Sequence, residues 1–68
     1  MAGVGTQVRM ANDIAAQFAH LPPEAAASAV AAHLRTFWDP RMRDQLVEHV
    51  AGGGAGLDPL VVRAAARL

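Results

Sequence analysis

His33-Leu34-Arg35-Thr36-Phe37-Trp38-Asp39-Pro40-Arg41-Met42-Arg43 (residues 33–43) decides how this chain folds. Asp39-Pro40 inside it is a helix start, with aspartate as N-cap and proline in the first turn. The residue before a proline is pushed out of helical geometry. One helix therefore ends near Phe37 and another begins at Pro40. The stretch also holds the single tryptophan, two of the three aromatic residues and three of the six arginines.

Working back from it, Ala26, Val30, His33, Leu34 and Phe37 recur at helical spacing. This second helix begins at Pro23, with Glu24 in its first turn, where the macrodipole favours negative charge. Between Ala25 and Ala32 nearly every side chain is a methyl or hydroxymethyl group. That run reads either as plain helix-forming composition or as a face that lets another helix come close. Pro22-Pro23 closes an earlier helix, whose stripe is Val8, Ala11, Ile14, Ala15 and Phe18. Met10 widens that stripe, Thr6 is placed to cap the helix, and Arg9 and Asp13 form an i, i+4 pair on its solvent side. Residues 1–5 carry two glycines and no pattern, and read as a disordered end.

Working forward, Met42, Leu46, Val47 and Val50 share a face of the third helix. Gly52 suits a left-handed C-cap, and the glycines after it form a loop. Leu57-Asp58-Pro59 repeats the Asp-Pro start, with Leu57 and Val62 at staple spacing. The last helix carries Leu60, Val61, Ala64, Ala65 and Leu68. The expected fold is all-α: one domain over residues 6–68, with helices at about 6–19, 23–37, 40–50 and 59–67.

The hydrophobic fraction is 53%, yet much of it is alanine, which buries little area per residue. A single core in 68 residues rarely supplies more than ~3–5 kcal/mol. No cysteine is present, so neither a disulfide nor a thiolate metal site can add to it. A small unstapled core points to burial against a partner chain. The formal net charge is zero, which disfavours nucleic acid, including a minimal helix-turn-helix regulator, because phosphate neutralisation needs a basic excess. No apolar run reaches the length of a transmembrane helix and no signal-peptide pattern opens the chain, so a cytoplasmic protein without a membrane role is expected.

Chemistry-bearing candidates are few. His20, His33 and His49 have no metal-site spacing and read as packing or capping residues. Gly52-Gly53-Gly54-Ala55-Gly56 lacks the lysine and Ser/Thr of a phosphate loop and follows a helix rather than a strand, so it reads as a connection. Thr6, Ser28 and Thr36 stand in no nucleophile context. Arg41 and Arg43 are the anomaly. They sit in the first turn of the third helix, where positive charge opposes the macrodipole. Asp44 and Glu48 add like charges at i, i+4. Tryptophan and arginine are also enriched at interface hot spots. Two compatible readings result: Trp38 plugs the core while Arg41 pairs locally with Asp44, or the cluster borders a contact patch.

Three segments carry a family resemblance: Val8-Arg9-Met10-Ala11-Asn12-Asp13-Ile14-Ala15, the opening stretch His33 to Arg43, and Gly54-Ala55-Gly56-Leu57-Asp58-Pro59-Leu60-Val61. In this order and spacing the chain resembles the small delta subunit of the molybdenum- or tungsten-dependent, NAD-reducing formate dehydrogenases. The resemblance implies a non-catalytic accessory subunit of a complex that oxidises formate to carbon dioxide. Other subunits of that complex are expected to carry a molybdopterin cofactor, iron–sulfur clusters, FMN and the NAD site. The chain would dock on the large alpha subunit and support its stability or cofactor insertion, holding no cofactor or metal of its own. Arg35, Trp38, Arg41 and Arg43 are the expected partner interface, with Arg9 and Asn12 as a second set. The alternative is a free-standing helical interaction module or assembly chaperone, acting singly or as a homodimer.

Overall fold

The computed structural model describes residues 3–68, with side chains from residue 5 onward. Four helices follow in order: α1 Gly3–Gln17, α2 Pro23–Phe37, α3 Pro40–Ala51 and α4 Pro59–Ala65. No strand occurs among the described residues. The all-α expectation holds, and both Asp-Pro helix starts are where the sequence puts them. Asp39 accepts from the backbone N–H of Arg41 at 2.8 Å and of Met42 at 3.1 Å. Asp58 accepts from the N–H of Leu60 at 2.8 Å.

The ends differ from expectation in four places. α1 begins at Gly3, so Thr6 lies inside the helix and does not cap it. Glycine weakens a helix by roughly 1 kcal/mol relative to alanine but does not forbid it. Of the expected disordered end, Gly3–Gly5 are helical, and Met1 and Ala2 lie outside the described residues. α1 and α4 each stop two residues early, in tight turns where Phe18 N–H bonds Ala15 O and Arg67 N–H bonds Ala64 O. The left-handed residue after α3 is Gly53 (φ 121°), not Gly52 (φ −86°). Gly53 N–H bonds Val50 O and Gly54 N–H bonds His49 O, the double bond pattern of a Schellman ending.

Small side chains hold the centre. The core joins Ala11, Ile14 and Ala15 of α1, Val30, Ala31 and Leu34 of α2, Trp38, Leu46 of α3, and Val61 and Ala64 of α4. The largest fully buried side chains are Leu34, Leu46, Val30 and Val61, so alanine methyls fill much of the remainder. The most extensive helix contact is between α2 and α4. There Ala26, Ala27, Val30 and Ala31 are buried on one side, and Val61, Ala64 and Ala65 on the other. Glu24 faces Arg63, and Ser28, one turn on, faces Arg67, one turn on. The two helices therefore run in the same direction.

The glycine loop is tied down at both ends. Asn12 of α1 donates through Nδ2 to Gly56 O at 2.9 Å and accepts through Oδ1 from Asp58 N–H at 2.9 Å. His49 Nε2 donates to Ala55 O at 2.8 Å. Gly54 is buried at φ 65°, with Val62 Cγ2 and Leu57 Cδ1 3.5 and 3.8 Å from where a Cβ would stand. Leu57 and Val62 thus meet beside the loop they flank.

Two stability outcomes follow. Ala27→Leu should lower the unfolding free energy in urea by ~1–3 kcal/mol, because a close-packed site is overfilled; exposed Ala25→Leu should change it little. Asn12→Ala should cost about 1–2 kcal/mol by releasing two backbone partners at once. Equal loss from Ala25→Leu and Ala27→Leu would refute the close α2–α4 contact.

Candidate docking surface

The stretch that organises the sequence divides into an inward and an outward part. Trp38 closes α2 in extended geometry (φ −92°, ψ 141°), and its N–H bonds Leu34 O at 3.0 Å. Its side chain is 6% exposed and belongs to the core. Phe37 was expected on the buried stripe, but it is 70% exposed. Consecutive residues at a helix end point about 100° apart, and the turn at Trp38 sends the larger ring inward. The Phe37 ring instead lies against His33, centroid to centroid 4.6 Å.

Arg43 now has a structural role. Its Nη1 donates to Arg35 O at 2.7 Å, in the last turn of α2. Arg35 Nη1 in turn donates to Arg67 O at 3.3 Å, just past α4. Arg67 reaches back to Ser28 Oγ at 2.6 Å and to the Glu24 carboxylate, which Arg63 also approaches at 3.7 Å. Parallel α2 and α4 place their two negative dipole ends on the same side. Arg43 and Arg35 put positive charge there, and Glu24 puts negative charge at the opposite end of α2. The position of Arg43 against its own helix dipole is offset by its service to α2.

Arg35, Arg43, Asp44, Val47, Glu48 and Leu68 together line an open groove of about 700 Å³. Val47, expected on the inner face of α3, is 41% exposed there, because Leu46 takes the core position. Arg41 lies on the adjoining surface with Asp39, Pro40 and Asp44. The expected local pairs are not made: among the described residues the ion pairs are Arg63–Glu24 and Arg67–Glu24. Arg41–Asp44 and Arg9–Asp13 are not among them.

The six residues singled out from the sequence therefore separate. Arg35 and Arg43 share the groove, Arg41 stands beside it, and Trp38 belongs to the core. Arg9 is exposed on α1 and does not line the groove; Asn12 is spent on the glycine loop. Sequence reasoning did not find Val47 as an exposed groove residue, nor Glu24 and Ser28 as the anchors of α4. The available signal for the anchors was the matched four-residue spacing of Glu24/Ser28 and Arg63/Arg67. No three His, Asp or Glu side chains gather as a metal site among the described residues. No helix among them is long and apolar enough to cross a membrane.

A family model described as NADH-dependent formate dehydrogenase delta subunit FdsD matches residues 7–65. No curated protein and no solved structure gives a significant match. The matched span takes in most of α1 and all of α2, α3 and α4. On that match, the chain belongs to the FdsD family of NADH-dependent formate dehydrogenase delta subunits.

Proposed function

We propose that this chain is a non-catalytic subunit of a cytoplasmic formate dehydrogenase, seated on the large, molybdenum-containing alpha subunit. Its work there is to stabilise that subunit or to assist insertion of its cofactor. Formate gives up two electrons and a proton and leaves as carbon dioxide, and the two electrons with one proton reduce NAD to NADH. The molybdopterin, iron–sulfur, FMN and NAD sites for that transfer lie on the other subunits. The match to the delta-subunit family over residues 7–65 carries this reading.

Two features of the chain support it. The core holds few large side chains, and the bundle has no covalent staple. Such a domain gains stability from whatever binds its folded state, in proportion to the logarithm of the partner concentration over its dissociation constant. The outer surface also keeps Phe37, Val47 and Val62 well exposed, which is apolar area available to a partner.

Affinity purification through the alpha subunit, followed by mass measurement, tests the assignment. The active complex should contain the 7.1 kDa chain in equal number with the alpha subunit. Deleting the gene for this chain should lower the molybdenum content or the half-life of the alpha subunit. A fully loaded, equally stable alpha subunit without it would refute the supporting role. Recovery of the chain only as a free dimer would favour the assembly-module alternative.

A further inference from the structure

The groove between the C-terminal side of α2 and α4 and the outer face of α3 is not uniform. Arg35, Arg43, Asp44, Val47, Glu48 and Leu68 line it. On α3 the four-residue spacing sets Arg43 and Val47 on one stripe and Asp44 and Glu48 on the next, so the basic and acidic side chains form two walls with Val47 between them. Each of the two guanidinium groups holds one N–H on a backbone carbonyl, which fixes its direction and leaves its other donors open. Neither is paired with a carboxylate, and neither Asp44 nor Glu48 is paired with a cation, among the described residues. Fixed, uncompensated charges of both signs around an exposed aliphatic floor are the makings of a specific docking site.

We propose that this groove receives a segment of the alpha subunit that presents an acidic, an aliphatic and a basic side chain across it. The carboxylate meets Arg35 and Arg43, the aliphatic group fills the space over Val47 and Leu68, and the basic group meets Asp44 and Glu48. This rests on the subunit reading given above and specifies its surface. A second copy of the chain offers the same two charges, but the delta-subunit match, which implies other subunits as neighbours, favours a segment of a different chain. Phe37 is a single ring beside His33 and supplies no comparable charge pattern.

Three variants of the full chain, each co-expressed with the remaining subunits, test the groove. Val47→Asp removes the aliphatic contact. Asp44→Lys with Glu48→Lys reverses one wall using side chains that bond nothing inside the bundle. Met10→Asp alters an exposed apolar site on α1 outside the groove. With helical circular dichroism unchanged, the two groove variants should reduce retention in the purified complex about tenfold or more, equivalent to ~1.4 kcal/mol. Met10→Asp should be retained as the unmodified chain is. If Val47→Asp unfolds the bundle, the charge-reversal variant still gives the readout. Full retention of the groove variants beside a retained unmodified chain overturns the groove and leaves the subunit reading standing. Loss of a dimer of the isolated chain, with complex retention intact, assigns the groove to self-association and overturns the proposal. Failure of the unmodified chain to be retained refutes the subunit reading itself.

Discussion

The contact of α2 with α4 is made mainly of methyl groups, and the arrangement of the other parts depends on it. Ala26, Ala27, Val30 and Ala31 meet Val61, Ala64 and Ala65 with little side-chain volume between the backbones. Such a contact gains from close approach and dispersion rather than from large buried areas. It therefore tolerates little spacing error. It also fixes the direction of α4, since only a parallel alignment brings Arg63 and Arg67 to Glu24 and Ser28 in register.

Parallel neighbouring helices raise an electrostatic difficulty that the arginines answer. Two C-terminal ends with unpaired carbonyls come to the same side of the bundle. Arg43 covers the last turn of α2 from α3, and Arg35 covers the chain just after α4 from α2. These exposed bonds contribute little individually, because solvent screens them. Their larger consequence is orientation. Two long flexible side chains are held in one direction at the edge of a groove, so part of the entropy of ordering them is already lost before any partner arrives.

Local grammar was legible in the sequence because it is local. Asp39-Pro40, Asp58-Pro59 and Pro22-Pro23 act within three or four residues, and their caps and breaks stand where the spacing puts them. Periodicity also gave the core positions of Ile14, Val30, Leu34 and Leu46. It failed at Phe37, the last residue of α2, where a stripe counted along the helix does not tell which of two adjacent rings, Phe37 or Trp38, turns into the core. The purpose of the alanine run stayed open for the same kind of reason. A methyl-rich face has the same sequence whether it meets water or another helix, and the answer lies in α4, thirty residues away. Arg43 looked misplaced because the helix it serves is not its own. Asn12 bonds Gly56 and Asp58, an attachment that the spacing within α1 does not encode.

A core built on methyl contact leaves the large side chains with an unusual distribution. Leu34, Leu46 and Trp38 are inside, while Phe37 and Val47 face outward on either side of the same corner. A larger domain could cover such residues with another helix of its own. Among the described residues, the four helices and the tied glycine loop leave Phe37 and Val47 uncovered. The apolar area that α3 and the end of α2 expose is thus open to a partner. That is the physical link between the alanine-rich composition of α2 and a surface suited to another subunit.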